Sequence, residues 1–452
     1  MVWLPSLRVL HATPAFFCCI DHGRTGTTGN FVTIVQTRLQ ACCTRRSGLG
    51  CRRIPGAILM PRRPFFRRLR TCAALFSAAV GMASTGLTAE KPRTPTPISV
   101  EAVRPHVHWL ADPRRQGRSG ESSLRSAEYI RDHFRRLKLQ PLFGKDFFQP
   151  IPGRPDDQGN SRTIGRNVGA WLPGRRANEF VIISAHFDHL GVRNKIVFPG
   201  ADDNASGVAM MLEVARQLTS RKKRLERSVV FVGFDLEERL LWGSRWFAAH
   251  APWPLKQVRL FITADMIGRS LGNLPLPTVF CLGSEHAPVL RTVLDRVGTP
   301  GGLEVARLGV DLIGTRSDYG PFRDRKVPFL FFSTGEHPDY HTPRDQPGKI
   351  DFKKLSRVAN LVLAVATEVA DGRADPTWTD SIDGGLDEPR ALFRITSLML
   401  EEERQKGLTD LQKLLISGTR NKARQILDAG TMTVSDRKWL VRATQLLLFS
   451  VF

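Results

Sequence analysis

Residues 180–188 read FVIISAHFD, an apolar run that ends in a histidine and an aspartate. Three further apolar runs follow along the chain, at residues 229–234, 260–264 and 327–332. Unbroken runs of this length are typical of strands that are buried on both faces, as in a sheet that helices cover on each side. Between the first two runs, apolar residues from Val208 to Leu218 recur at helical spacing. The pattern predicts an α/β sandwich with a mainly parallel central sheet.

Metal-binding side chains follow three of these runs, at the point where each run ends. His186 comes directly after the first apolar run, Glu237 and Glu238 follow the second, and Asp265 follows the third. Ligand sites in open α/β sheets lie beyond the carboxyl ends of the strands. We therefore expect these four side chains to lie close together at one edge of the sheet.

Two loop segments are expected to bring further ligands to the same edge. The Gly-rich turn before the predicted helix contains Asp202 and Asp203, and the Pro-rich loop after the last run contains His341. Zinc accepts imidazole nitrogen and carboxylate oxygen, and two ions about 3.5–4 Å apart need one carboxylate to bridge them. Two histidines and three carboxylates beside a spare glutamate therefore indicate a two-metal hydrolase.

These motifs together resemble those of the secreted di-zinc aminopeptidases of metallopeptidase clan MH, family 28. In chain order they are His186-Phe187-Asp188, GADDNASG at residues 200–207, Glu237-Glu238 with Gly243-Ser244, Asp265-Met266 and Tyr340-His341-Thr342-Pro343. The similarity covers residues 100–370. It implies a zinc exopeptidase-like fold and the hydrolysis of peptides from their amino termini.

The resemblance also implies two zinc ions per chain and a ligand set for each. One ion would be held by His186, Asp203 and Asp265, and the other by Asp203, Glu238 and His341. The bridging aspartate of the family stands directly before an asparagine, which favours Asp203 over Asp202. This assignment leaves coordination positions for a water molecule and for the substrate carbonyl.

Three more residues are predicted to take part in catalysis. Glu237 is the expected general base, which takes a proton from the metal-bound water and passes it to the leaving amine. Asp188 is expected to accept the second imidazole N–H of His186 and so to hold its tautomer. Tyr340 resembles the tyrosine that donates to the tetrahedral oxyanion in some relatives.

Several residues near these motifs keep two interpretations. A packing or capping role is as compatible with the sequence as a functional one for Asp188, Asp202, His189, His337 and Asp345. The polar loop at residues 112–120 is either near the substrate or a solvated turn. The chain reads Ser317-Asp318-Tyr319 where many relatives have Ser-Asp-His, and Leu236 where Gly is common. We expect these departures to affect the preference for substrate side chains.

The first 89 residues differ in composition from the rest of the chain. They contain twelve arginines and a single acidic residue, Asp21, so they carry about half of the net charge of +23. Residues 60–89 have the basic segment, the short apolar segment and the small residues of a secretory signal peptide. We interpret residues 1–59 as a non-native upstream extension, with an unusual targeting segment as the alternative. The mature chain is expected to begin near Glu90.

The predicted organisation is therefore a zinc peptidase domain at residues 90–372 and a helical C-terminal extension at residues 373–452. Cys281 is the single cysteine of the predicted mature chain, so an intrachain disulfide is excluded there. The apolar residues 446–452 are too few to span a membrane, and we expect them to pack against the body or a partner. We predict an exported protein, periplasmic or extracellular, with no membrane span in its mature part and an oligomeric state that the sequence leaves open.

A peptide is the predicted substrate, and nucleic acid is not predicted as a partner because the remaining basic residues are spread along the chain. Three alternatives use the same fold. They are a carboxypeptidase, a glutaminyl cyclase with one zinc ion, and an inactive receptor-like binding module. The five retained ligands disfavour the cyclase, and these ligands together with Glu237 disfavour the inactive module.

Overall fold

The computed structural model describes residues 97–382, 385–405 and 407–450. The predicted upstream extension at residues 1–59 and the predicted signal peptide at residues 60–89 lie outside these ranges. Among the described helices, none combines the length and the apolar character that crossing a membrane requires.

Nine strands form one sheet within the described residues. In chain order these strands are β1 (Gln140–Pro141), β2 (Phe148–Pro152), β3 (Thr163–Leu172), β4 (Arg176–His186), β7 (Arg227–Phe234), β8 (Val258–Ala264), β9 (Thr278–Leu282), β10 (Glu304–Leu308) and β11 (Phe329–Ser333). A small ribbon of β5 (Val192–Arg193) and β6 (Ile196–Val197) follows β4. The four apolar runs of the sequence fall in β4, β7, β8 and β11, as predicted.

The sheet has a parallel centre and antiparallel margins. Its strand order is β1-β3-β7-β4-β8-β11-β9-β10, and β2 also pairs with β3. The neighbouring strands β7, β4, β8 and β11 are parallel, whereas β3 and β9 join this group in antiparallel orientation. The predicted α/β fold is confirmed, and the sheet as a whole is mixed. The carboxyl ends of the central strands meet at one edge.

Successive side chains of β4 enter opposite cores because side chains alternate along a strand. Val181 and Ile183 belong to the first core, and Phe180 and Ile182 to the second. The first core is covered by α1 (Val100–Leu110), α2 (Glu121–Arg136), α3 (Gly207–Thr219), α5 (Val289–Val297) and α7 (Phe352–Ala370). The second core is covered by α4 (Trp242–Ala249), α6 (Gly320–Arg323), α8 (Asp387–Met399), α10 (Asp410–Ala429) and α11 (Val434–Ser450).

The predicted C-terminal helices are present, with the short helix α9 (Glu402–Gln405) between α8 and α10. Leu447 of α11 is buried in the second core, while Leu446 and Phe449 are exposed. The terminal apolar segment therefore packs one of its faces against the body of the protein.

Arg437 ties α11 to the rest of the molecule through two carboxylates. Its guanidinium donates to both oxygens of Asp311 at 2.6 Å and to both oxygens of Glu388, on α8, at 2.9 Å. Burial by itself would lower the pKa of Arg437, but the two carboxylates raise it above its usual range. The arginine thus stays charged and joins α11, α8 and the loop after β10.

Replacing Arg437 with Gln removes the cation from these two carboxylates, and Glu388 is buried. We expect Arg437→Gln to lower the free energy of unfolding by about 3 kcal/mol, because an uncompensated buried charge remains. Urea denaturation measures this change. The matched control is Arg390→Gln, which breaks an exposed pair with Asp387 one turn away and is expected to change the stability by at most about 0.5 kcal/mol. Losses of equal size in the two variants would contradict a docking role for Arg437.

Candidate metal centre

The central strands bring the predicted residues to one edge of the sheet. His186 ends β4, Asp265 directly follows β8, and Glu237 and Glu238 lie in the turn after β7. The Asp188 carboxylate accepts hydrogen bonds from the backbone N–H groups of Glu237 at 3.0 Å and of Glu238 at 3.3 Å. Asp188 therefore fixes the turn after β7 to the loop after β4.

The predicted contact between His186 and the Asp188 side chain is not a hydrogen bond in this structure. His186 Nδ1 is 3.6 Å from Asp188 Oδ1, which is too long for a hydrogen bond. The same nitrogen is 3.3 Å from the backbone oxygen of Asp188. The Asp188 carboxylate is oriented instead by the two backbone N–H groups after β7. The backbone oxygen of Asp188 is therefore closer to the imidazole of His186 than its carboxylate is.

Asp203 lies between two histidines. Its Oδ1 is 3.4 Å from His186 Nε2, and its Oδ2 is 3.2 Å from His341 Nε2. His186 Nε2 is also 3.3 Å from Asp265 Oδ1, and His341 Nε2 is 3.1 Å from Glu238 Oε2. One carboxylate thus presents an oxygen to each half of the cluster, which is the arrangement that a bridging ligand of two metal ions requires.

Asp202 points away from this cluster. Its Oδ1 accepts a hydrogen bond from the backbone N–H of Gly268 at 2.6 Å, and its Oδ2 is 3.4 Å from His337 Nε2. The Asp345 carboxylate accepts the backbone N–H groups of both Asp202 and Asp203 at 3.0–3.1 Å. Asp202, His337 and Asp345 therefore support the loop that carries Asp203. This is the packing role that the sequence left open for these three residues.

Several polar atoms at the centre of the cluster are buried and have no hydrogen-bond partner among the described residues. They are His186 Nε2, His189 Nε2, Asp203 Oδ2 and Asp265 Oδ1. Buried polar atoms are normally satisfied because burial without a partner is unfavourable. Imidazole nitrogens and carboxylate oxygens that converge in this way are the ligands that zinc binds. The residues present fit metal ions.

The ligand atoms fall into two groups, and within each group all of them lie within 4.8 Å of one another. One group contains His186, Glu237 and Asp265, and the other contains His189, Asp203 and Glu238. His341 contacts the second group from the solvent side, with 38% of its side chain exposed. The five predicted ligands are therefore all brought together, and Glu237 and His189 stand beside them.

His189 is a member of the cluster for which the sequence left both a packing role and a functional role open. Its ring is fully buried, and its Nδ1 is 2.8 Å from Glu238 Oε1 and 3.6 Å from Asp203 Oδ2. The ring therefore positions the Glu238 carboxylate. The available signal was its position three residues after His186, but spacing along a loop does not reveal the direction of a side chain.

Burial raises the pKa of Glu237 well above its usual range. The nearby His186 opposes this shift, whereas Asp265 and Asp318 add to it. Burial also raises the pKa of Asp318 to about 7, against the opposing effect of His186. Carboxyl groups with raised pKa values are able to hold a proton near neutral pH, which is the property of a general acid or base.

Tyr340 stacks on His341, with 3.8 Å between the ring centroids. Burial raises the pKa of the Tyr340 phenol above its usual range, and the charges of Asp203 and Asp265 raise it further. The hydroxyl therefore keeps its proton and is available as a hydrogen-bond donor.

The two departures from the family pattern lie behind the cluster. Asp318 is fully buried, Leu236 is buried, and Tyr319 packs in the second core, where its ring stacks on Phe329 at 5.2 Å. Neither Leu236 nor Tyr319 lines the described cavity beside the metal ligands. The expectation that these departures affect the preference for substrate side chains stays a prediction.

Arg118 holds the backbone beneath the cluster. Its guanidinium is fully buried and donates to five backbone carbonyls, those of Leu110, Phe187, Pro199, Gly200 and Asp203. Burial lowers the pKa of Arg118 to about 10, while Asp203 and Asp345 oppose that shift, so the group is charged at neutral pH. The sequence left two interpretations for the loop at residues 112–120, a solvated turn or a substrate contact. Neither describes Arg118, because its side chain is buried and binds backbone carbonyls.

Comparison with known proteins finds a family that covers the segment with these residues. Residues 167–366 match the model of Peptidase family M28. We call this matched segment, residues 167–366, the M28 domain. The match includes all five predicted ligands, and it ends within α7, before the C-terminal helices begin.

Similar proteins match part of the chain. Aminopeptidase YwaD of Bacillus subtilis (strain 168) is 28% identical over 208 residues, which cover 44% of this chain and 43% of that protein. The chain spans less than half the length of the first curated relatives that it matches.

Two solved structures also align with part of the chain. A zinc aminopeptidase from Bacillus subtilis, BSAP, aligns with a TM-score of 0.49 and 17% identity, over 64% of this chain and 100% of that one. A glutaminyl cyclase from Porphyromonas gingivalis aligns with a TM-score of 0.49 and 20% identity, over 61% of this chain and 100% of that one.

We expect the M28 domain to release protons when it binds zinc. In the metal-free site, burial and Glu238 raise the pKa of Asp203. Burial would lower the pKa of His341, but Asp203 and Glu238 raise it to about 10. The pKa of His341 lies above neutral pH, so this ligand carries a proton at pH 7, while zinc needs deprotonated ligands.

Zinc affinity should therefore fall as the pH falls, and at least one proton per chain should be released at pH 7. Titration calorimetry in buffers of different ionisation enthalpy measures the number of protons. A binding enthalpy that is the same in all buffers would show that the ligands are already deprotonated, contrary to this expectation.

Proposed function

We propose that the protein is an exported zinc-dependent aminopeptidase that removes residues from the amino termini of peptides. The observation that carries the proposal is the position of Asp203, whose two oxygens face His186 and His341 at 3.4 and 3.2 Å. The family M28 match and a relative named as an aminopeptidase support the reaction class. The signal-like segment at residues 60–89 supports export.

The donor set assigns a role to each ligand. Asp203 would be shared, with His186 and Asp265 on one side and Glu238 and His341 on the other. Zinc, when bound, supplies a Lewis acid for the peptide carbonyl and a nucleophilic water near neutral pH. His189 would hold the Glu238 carboxylate through its contact at 2.8 Å.

The proton transfers would use groups that stand beside the ligands. Glu237 has a carboxyl group within 4.8 Å of the ligand atoms of His186 and Asp265, and its raised pKa suits a group that takes up a proton and returns it. It would take the proton of the attacking water and transfer it to the leaving amine. Tyr340 would donate a hydrogen bond to the carbonyl oxygen as negative charge develops there.

Activity should require a free amino terminus. We expect the purified, zinc-loaded protein to hydrolyse aminoacyl arylamides and to leave the matched N-acetylated arylamides intact, with metal content measured on the same samples. Peptides ending in glutamate and peptides beginning with glutamine test the carboxypeptidase and cyclase alternatives. Cleavage at the carboxyl end, or cyclisation of glutamine without hydrolysis, would replace the proposed function. Two bound zinc ions with no turnover of any substrate would favour the inactive binding module.

Glu237 and Glu238 should differ sharply although they are neighbours. Glu237→Gln keeps the size of the side chain and removes the proton acceptor, so we expect kcat to fall about a hundredfold to ten-thousandfold with the zinc content unchanged. Glu238→Gln should lower the zinc content, because a neutral amide is a poorer ligand than a carboxylate. Metal analysis and steady-state kinetics on the two variants form a matched pair. Loss of metal in Glu237→Gln together with full metal content in Glu238→Gln would exchange the two assignments.

A further inference from the structure

Three cationic side chains surround the carboxylate of Asp339, which lies two residues before the predicted ligand His341. Its Oδ1 accepts a hydrogen bond from Arg344 Nε at 2.9 Å. Its Oδ2 accepts from Lys349 Nζ at 2.8 Å and from Arg269 Nη2 at 3.1 Å. The Asp339 side chain is 10% exposed. The carboxylate is therefore a largely buried anchor beside the candidate metal centre.

The contact with Arg269 differs from the other two in its burial and in the segments that it joins. The Arg269 side chain is 8% exposed, whereas those of Arg344 and Lys349 are 64% and 41% exposed. Exposed ion pairs contribute little to stability, but removing one partner of a buried pair is costly. Arg269 follows Asp265 by four residues. Its pair with Asp339 therefore joins the two loops that carry the predicted ligands after β8 and β11.

Lys354 of α7 holds the backbone of Arg269 in turn. Lys354 is buried, and its Nζ donates to the carbonyl oxygens of Arg269 and Leu276 and to Ser270 Oγ, each at 2.8 Å. The Arg269 guanidinium also donates to Asn273 Oδ1 at 2.9 Å. One end of the pair is therefore fixed within the loop after β8.

His341 depends on its loop more than the other predicted ligands do. Its side chain is 38% exposed, compared with 1–12% for the other four, so packing does little to hold it. Its φ of +54° is unfavourable for a residue with a side chain and persists where surrounding contacts enforce it. The Asp339 carbonyl accepts the backbone N–H and the hydroxyl of Thr342 at 3.1 and 2.8 Å, which closes a turn around His341. The anchors of this turn therefore decide where the imidazole lies.

From these contacts we propose that the buried Arg269–Asp339 pair is a positioning element of the metal centre, which keeps the His341 imidazole beside the carboxylates of Asp203 and Glu238. The inference rests on the proposed ligand set. Asp339 acts through His341 and contacts neither a metal ion nor the substrate. Loss of the pair should weaken the zinc ion on the His341 side and leave the ion on the opposite side of Asp203 in place.

The test measures zinc binding to the metal-free protein by competition with a chromophoric chelator. We expect Asp339→Asn to raise the dissociation constant of one zinc ion about tenfold to a hundredfold, the usual effect of removing a group that orients a ligand, and to leave the other within about threefold. The control Lys349→Gln removes an exposed contact of the same carboxylate, so both constants should stay within about twofold. Equal effects of the two substitutions would overturn the inference.

A double-mutant cycle separates positioning from a general loss of structure. In protein that already carries His341→Ala, Asp339→Asn should cause no further loss of zinc affinity. Losses that add in the double variant would show that Asp339 does not act through His341. Arg269→Lys keeps the charge without the planar guanidinium, and it provides a milder variant if Asp339→Asn does not fold. It should change the same constant in the same direction, and an unchanged constant would contradict the positioning role.

Zinc binding also keeps this inference separate from the proposed function. If the wild type binds two zinc ions but hydrolyses no arylamide, the aminopeptidase proposal fails, and the positioning role stands as long as Asp339→Asn weakens one ion. If the wild type hydrolyses arylamides and Asp339→Asn leaves both zinc affinities unchanged, the positioning role alone fails. A wild type whose zinc binding does not respond to His341→Ala would remove the ligand set on which the inference rests.

Discussion

The convergence of acidic side chains around Asp203 is the constraint on which the rest of the structure depends. Asp203, Glu237, Glu238 and Asp265 gather at one edge of the sheet, partly or fully removed from water. Like charges at such distances repel, and burial raises the free energy of each ionised form. The consequence is visible in the raised pKa values of Asp203 and Glu237. Protons or metal cations must balance this charge, and the arrangement of the donors suits cations.

The fold keeps these groups in place with polar side chains that do not face the cluster. Arg118 binds the carbonyls of the Asp203 loop, and Asp345 binds the N–H groups of the same loop. Asp188 binds the N–H groups of the turn that carries Glu237 and Glu238. Each loop is thus held from behind by a buried charged group, so that its forward side chain is free to bind a ligand.

The second core links the candidate metal centre to the C-terminal helices. The apolar side chains of the sheet that face α8 and α11 also reach the cavity beside Asp265. The same packing that stabilises these helices therefore shapes the space next to the ligands. Helices outside the family match therefore line a cavity that Asp265 also lines.

The sequence by itself predicted the central strands and the α/β class, and together with the family resemblance it predicted the five candidate ligands. This was possible because buried strands read as unbroken apolar runs, and because ligands stand where such runs end, at His186 and Asp265 for example. Local patterns of this kind depend on neighbours along the chain. Tertiary structure alone decided the burial of Arg118, the contact of His189 with Glu238, and the cavity wall formed by Leu447. Arg118 is 85 residues from Asp203, His189 is 49 residues from Glu238, and Leu447 is 182 residues from Asp265. No local pattern specifies which way a loop side chain turns or which distant helix it meets.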